Sequence, residues 1–280
     1  MRRILSTRLF ANHRLTTALL DKVQHSGVDS IEFFCARQHL DYHNRSQIAE
    51  LRHWFADSEL DVTAIHAPLY SDDSWGHGGP RSIVSITTLE KSERIRATDE
   101  IKRAIEIADS IPINFVVLQL GQYQEDYKPA KLDTIFNAVD EINVFASQLD
   151  VGVVLKNLPS EQSNAERLNL LLEVTHLPVG FCFDAGLAHI GEGVRAEFGK
   201  MKDRIRTIHL HDNDGSSDLR LAPLVDDGGT LDWPVAAELL AEHANLPHIL
   251  ELQGVGEVAE GLRVATESLD RLEELFANHG

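Results

Sequence analysis

Cysteine is nearly absent: Cys35 and Cys182 are the only two among 280 residues. That excludes a disulfide framework and fits a reducing compartment. Long apolar runs are missing too, and none approaches the roughly 20 residues that a membrane-spanning helix needs. The start, Met1-Arg2-Arg3-Ile4-Leu5, is basic, but Arg8, Asn12, His13 and Arg14 interrupt the stretch after it, so no secretory leader core is expected there. Positive charge is the third shortage. Lys and Arg total 26 against 44 Asp and Glu, a net charge of −18. A nucleic-acid reader needs a basic stripe to displace counterions from phosphates, and here Lys and Arg are scattered. Neither a nucleic acid nor a membrane is expected as a partner, and a cytoplasmic location is.

No Pro/Gly/Ser-rich linker divides the chain and no short tandem repeat runs through it. What does recur is an event. Apolar, β-rich runs end on a polar or ionisable residue, and then a helix-like segment begins. Strands are expected over residues 4–10, 28–34, 62–67, 114–120, 151–158, 179–185, 205–212 and 249–253. Helices are expected over 15–24, 46–56, 89–110, 130–149, 163–174, 194–202, a segment opening at Asp232-Trp233-Pro234, and 264–276. The long helix is read from Ile95, Ile101, Ala104, Ile105 and Ala108 at helical spacing. Strands that alternate with helices and are apolar on both faces belong to parallel βα units. Eight such units in a chain this long fit one (β/α)8 TIM barrel, an α/β fold that typically uses about 250 residues. Residues 1–280 are therefore expected to form a single TIM-barrel domain.

Barrel enzymes keep their chemistry at the strand C-termini. Period-two alternation gives the inward residues there. They are Glu32 on the second strand, His66 on the third, Gln119 on the fourth and Lys156 on the fifth. Asp184 comes next on the sixth strand, His209 and His211 on the seventh, and Glu251 on the eighth. Each shares a face with small or branched residues, such as Ala64, Val117, Val154, Cys182, Thr207 and Ile249. A single strand-end histidine or carboxylate is commonplace. Six at equivalent positions point to a site. Two long loops flank it: residues 69–85, with Trp75-Gly76-His77-Gly78-Gly79, which reads as a lid, and residues 213–230. Trp75 and Trp233 are candidate pocket walls.

The ordered series Ile65-His66-Ala67-Pro68, Lys156-Asn157, Phe183-Asp184-Ala185-Gly186, Ile208-His209-Leu210-His211-Asp212 and Leu250-Glu251-Leu252 resembles the xylose isomerase-like TIM barrels. That superfamily comprises sugar isomerases and epimerases, inosose dehydratases, hydroxypyruvate isomerase and the AP endonuclease family 2 nucleases. The stretch Asp212-Asn213-Asp214-Gly215, with Gly228-Gly229-Thr230-Leu231-Asp232-Trp233, is a specific echo of their seventh-strand loop. The resemblance implies a divalent cation (Mn, Mg or Zn) held by a Glu, an Asp, a His and a Glu on strands five to eight. Three of these match as Asp184, His209 and Glu251; the fifth-strand Glu is replaced by Lys156, with the usual Asn after it, Asn157. Further nuclease ligands are also replaced: Gln119 stands at the fourth-strand His position, and Asp218-Leu219-Arg220 replaces an Asp-x-His pair.

A protonated lysine cannot ligate a metal. A few ångströms from a carboxylate it gains about 4 kcal/mol at an effective dielectric near 20, and such neighbours oppose the neutral amine that a Schiff base requires. Two readings stand: Lys156 as a built-in cation at the former metal position, or Lys156 turned to solvent with a metal on Asp184, His209 and Glu251. The first disfavours a metal cofactor. The expected activity is that of an isomerase, epimerase or related dehydratase on a small polyhydroxylated carbonyl compound, by proton transfer next to the carbonyl. Glu251 would be the base, Lys156 the electrophile, and His209 and His66 would orient oxygens. Glu32, Gln119, Asn157, His211, Arg220 and Trp75 would contact the substrate. The alternative is a family member that has lost catalysis and kept a ligand-binding or scaffolding role; a DNA repair endonuclease fits worst. A homo-oligomer is left open.

Overall fold

A computed structural model describes residues 1–123 and 125–278. Eight parallel strands close into a barrel in sequence order: β1 Ile4–Ser6, β2 Ser30–Phe34, β3 Asp61–His66, β4 Phe115–Gln119, β5 Gly152–Lys156, β6 Gly180–Asp184, β7 Ile205–Leu210 and β8 His248–Leu250. The helices are α1 Thr17–His25, α2 Arg45–Ala56, α3 Lys91–Ile105, α4 Leu132–Ser147, α5 Ala165–Thr175, α6 Ala185–Ile190, α7 Val194–Met201, α8 Trp233–Leu240 and α9 Val258–Ala277. Among the described residues, no helix is long and apolar enough to cross a membrane.

Alternation along each strand divides the apolar residues into two sets. Leu5, Phe33, Ile65, Val116, Leu155 and Phe183 point outward into the core shared with the helices. Ile4, Ala64, Val117, Val154, Cys182 and Ile249 form a separate cluster inside the barrel. The next inward positions toward the C-terminal rim are polar, most of them ionisable, so the interior is an apolar plug with a polar, charged layer on top. Helix ends obey local chemistry: Thr16, Asn44, Asn164 and Asp232 each accept backbone N–H groups at an N-terminus. In α9, Leu262, Ala265, Leu269 and Leu272 repeat at helical spacing on the buried face.

The structure corrects several boundaries. The first strand stops at Ser6 instead of running to residue 10, and Thr7–Phe10 form a 3-10 turn capped by the Ser6 hydroxyl. Thr7 Oγ1 accepts the N–H of Phe34 at 2.9 Å, so the turn is tied to the end of β2. The seventh and eighth strands leave the ladder at Leu210 and Leu250, yet Glu251 N–H still donates to Leu210 O at 3.0 Å. The helix expected over 89–110 is shorter and ends in a 3-10 turn, and Ile95 is half exposed rather than part of its buried stripe. The last helix begins earlier than expected, at Val258. Short α6 was not foreseen; Asp184 caps it, its Oδ1 accepting Leu187 N–H at 2.9 Å.

Candidate active site at the barrel mouth

The ladder registers bring the strand ends together. Ser6 is level with Glu32, Phe34 with His66, Gln119 with Lys156, and Asp184 with His209. At the centre, the fully buried Lys156 ammonium lies 3.2 Å from Glu251 Oε2 and 3.6 Å from Asp184 Oδ2. Arg220 Nη1 approaches the same Glu251 oxygen to 2.6 Å, and His209 Nδ1 to 2.7 Å. Two hydrogen-bonding groups, Lys156 and His209, and the Arg220 guanidinium as an ion pair thus converge on Glu251 Oε2, while Glu251 Oε1 has no hydrogen-bond partner among the described residues.

His209 bridges two acids, facing Glu251 through Nδ1 and Glu32 Oε2 through Nε2 at 2.9 Å. Both ring nitrogens face carboxylate oxygens, an arrangement that suits the imidazolium, in which both donate. Burial alone would lower its pKa, but Cys182, Glu32 and Glu251 raise it well above the usual histidine value. The Ser6 hydroxyl donates to Glu32 Oε1 at 2.8 Å, which uses both Glu32 oxygens. Burial raises the pKa of Glu251, yet Arg220, Lys156 and His209 pull it far below the carboxylate range. Asp184 is likewise held low against burial by His211, Lys156 and Arg220. His66 is neutral: burial and then the Lys156 charge depress its pKa. Its Nδ1 lies 2.9 Å from Ala67 O, and its ring centre is 6.3 Å from that of His209.

Arg220 has a positive φ of 49°, uncommon for a residue with a side chain, and it anchors a chain of contacts. Its Nε donates to Asp218 Oδ2 at 3.0 Å, and the Tyr123 hydroxyl donates to the same oxygen at 2.6 Å. The loop after β7 is further organised by Asp212, whose Oδ2 accepts the Trp233 indole N–H at 2.6 Å. Trp233 is therefore pinned and buried, away from any pocket wall.

Over the opposite side folds the flap of residues 69–85. Its tip is ordered by Asp72, which accepts the N–H groups of Ser74, Gly76 and Gly78 at 3.0, 2.9 and 2.8 Å. Burial is the largest single influence and raises its pKa, but contacts with Ser82 and those N–H groups together lower it to about 2. Trp75 stands beside Phe34 with ring centres 5.4 Å apart, and the Arg8 guanidinium sits over both rings, at 5.0 Å from Phe34 and 5.1 Å from Trp75.

The sequence pattern of the xylose isomerase-like TIM barrels matches residues 20–275. The chain belongs to that family. It is 26% identical over 147 residues to MJ1614 of Methanocaldococcus jannaschii, an uncharacterized protein, covering 49% of this chain and 57% of that one. The chain thus matches little more than half the length of that relative. Among solved structures it resembles a D-tagatose 3-epimerase-like protein, with TM-score 0.74, 23% identity, and 98% and 99% of the two chains covered. It also resembles an L-ribulose 3-epimerase, with TM-score 0.79, 16% identity, and 99% and 95% covered. At those identities the likeness establishes the fold.

The divalent cation associated with this family does not suit the residues present. Lys156 and Arg220 already bring fixed positive charge against Glu251, and Lys156 against Asp184. A metal-ligating histidine must be neutral, and His209 is held as imidazolium between two acids. Among the described residues, Glu32, His209 and Glu251 form one group whose donor atoms lie within 4.8 Å of each other, but both His209 ring nitrogens are engaged with carboxylates there, so a metal would have to break that bridge.

The remaining expected residues divide. His211 joins the cluster, with Nε2 2.9 Å from Asp184 Oδ1, and packs so closely on Gly186 that a Cβ there would come within 2.2 Å of its ring. Gln119 lies half-buried beside the rim, donating to Gly121 O at 3.3 Å. Two expected substrate contacts are corrected. Asn157 is used up structurally: Oδ1 accepts Asp184 N–H at 2.7 Å and Nδ2 donates to Glu197 Oε2 at 2.8 Å. Glu32 serves His209 from below rather than facing the mouth. Arg8 and Tyr123 were missed. Arg8 lies in the 3-10 turn after β1, where strand alternation no longer applies, and Tyr123 lies in a loop with no periodic signal.

Proposed function

We propose that this protein is an isomerase or epimerase acting on a small polyhydroxylated carbonyl compound by proton transfer at the carbon next to the carbonyl. One observation carries the reading. Glu251 offers an oxygen without a hydrogen-bond partner, Oε1, while a fixed ammonium and guanidinium hold its other oxygen, Oε2. Removing such a proton leaves negative charge on the carbonyl oxygen, and preorganised cations in a dry site stabilise that enediolate. Glu251 would take the proton and Lys156, with Arg220, would hold the oxygen. A carboxylate whose pKa is held so low is a weak base, so most of the acceleration must come from the cations. The proton held on Glu251 is then returned by Glu251 itself to the enediolate, while Asp184, held as the anion 3.6 Å from Lys156, keeps the ammonium in place.

His66 and His209 are then positioning groups. His66 with Nδ1 committed to Ala67 O presents Nε2 to a substrate hydroxyl, and His209 fixes the Glu251 carboxylate. The names of similar structures, a D-tagatose 3-epimerase-like protein and an L-ribulose 3-epimerase, support this chemistry. The test is proton exchange in D2O: incubate the protein with a panel of ketoses, aldoses and their acid derivatives, and monitor the carbon-bound proton by NMR. Enzyme-dependent exchange at the carbon next to the carbonyl is expected for at least one compound. Binding without exchange across the panel would contradict the reading.

A further inference from the structure

Three long cationic side chains meet at the barrel mouth, and two of them have anions. Lys156 has Asp184 and Glu251; Arg220 has Asp218 and Glu251. Arg8 has none. Among the described residues its guanidinium makes no ion pair and no hydrogen bond, and its Nε is buried without a partner. It is held by aromatic faces, Phe34 and Trp75, both about 5 Å from the guanidinium carbon.

We propose that the substrate bound at this mouth carries an anionic oxygen group, a carboxylate or a phosphate, and that Arg8 is the residue that receives it. The proposal rests on the reading of the mouth as a sugar-type active site and adds the charge of the compound it takes. A cation partly withdrawn from water without an anion is costly, and cation–π contact offsets only part of that cost. The like charge of Arg220 opposes Arg8 more strongly than either Glu251 or Asp218 favours it, and its pKa falls to about 10, mostly through burial. The two ring contacts occupy none of its N–H donors, and that planar fork matches a carboxylate or phosphate in bidentate fashion. A sugar hydroxyl would leave the charge uncompensated. One ring belongs to the flap, so an anion on Arg8 would sit where Trp75 closes over it.

The fold also accounts for the position. Ile4 and Ser6 lie inward on β1, the strand ends at Ser6, and Arg8 lies in the 3-10 turn that follows, on the C-terminal side of the barrel. The anionic end of a substrate would lie on the Arg8 side of the mouth, with its carbonyl toward Lys156 and Glu251.

Calorimetry and thermal melts of the full-length protein with three compounds test this: a hexuronate, a hexose phosphate and a neutral ketohexose. Wild type should bind at least one anion tenfold or more tightly than the ketohexose, and the preferred anion identifies carboxylate or phosphate. Arg8→Gln should erase that preference, and Arg8→Lys should keep part of it. Without ligand, Arg8→Gln should melt no lower than wild type, since it removes an uncompensated charge; with the anion, wild type should melt higher. A ketohexose bound as tightly as both anions, a preference that survives Arg8→Gln, or a failure of both anions to bind would each overturn the assignment. Anion binding through Arg8 without proton exchange in D2O would instead sink the isomerase reading and leave the Arg8 site standing.

Discussion

Lys156 Nζ and Glu251 Oε2 lie 3.2 Å apart at the centre of the barrel mouth, both fully buried, on strand ends that are 95 residues apart in the chain. Neither group could stay charged there alone. Arg220, His209 and Asp184 complete a network in which each central charge has an opposite one.

Replacing Lys156 with Met keeps much of the side-chain bulk and removes the charge. Asp184 and Glu251 then face each other with less compensation, and breaking a buried pair in this way costs about 3 kcal/mol or more. Urea unfolding should show that loss, and proton exchange on a bound substrate should fall by roughly 100-fold or more, the scale of losing one oxyanion-stabilising donor. Unchanged exchange in a folded Lys156→Met variant would remove Lys156 from the chemistry.

The flap depends on Asp72, whose carboxylate organises three backbone N–H groups. Asp72→Ala should increase amide hydrogen exchange across residues 69–85 and raise KM several-fold, with less effect on kcat. Exchange in that segment equal to wild type would show that the flap is held by other contacts.

Glu197 gives a pH-dependent stability. Burial, opposed by the Glu192 N–H and Asn157, raises its pKa from 4.5 to about 7. Below pH 4.5 the carboxyl is protonated in folded and unfolded chains alike. Between 4.5 and 7 the folded chain holds a proton that the unfolded chain has lost, so stability falls as pH rises, by about 3 kcal/mol in total, and then levels off. Glu197→Gln should lack this component. Urea melts of both proteins from pH 4.5 to 8 test it: the stability difference should shift steadily in favour of the variant up to about pH 7, and parallel curves would contradict it.

The strand ends were legible because a period of two leaves little choice: with Ala64, Val117, Val154 and Cys182 inside, His66, Lys156 and Asp184 must face the mouth. The family resemblance was equally readable in the ordered motifs. What alternation cannot give is the state of a side chain once inside. Asn157 sits beside Lys156 in sequence but faces the other way, toward Glu197 on α7, because successive residues of a strand point to opposite sides. Glu32 has the expected parity, yet its two oxygens are taken by Ser6 and His209. Arg8 was hidden because a polar residue after two ladder positions reads as a break in the strand. The flap's order depends on one carboxylate gathering nearby N–H groups, a pattern that a Gly-rich stretch does not announce.

If Lys156 takes the cation's place, Lys156→Glu rebuilds the family's ligand set with Asp184, His209 and Glu251. Without metal the variant crowds like charges and should melt well below wild type. Mn²⁺ should restore it by binding the native state, while wild type responds little. Equal Mn²⁺ shifts for both proteins would mean that Lys156 does not govern metal occupancy.

The most direct measurement is the metal content of the wild-type protein, purified without chelator and analysed by plasma mass spectrometry after equilibration with Mn²⁺, Mg²⁺ and Zn²⁺. With the Lys156 ammonium and Arg220 against Glu251, far less than one divalent ion per chain should remain after gel filtration. One tightly held ion per chain, lost on replacing Asp184 or Glu251, would contradict the account.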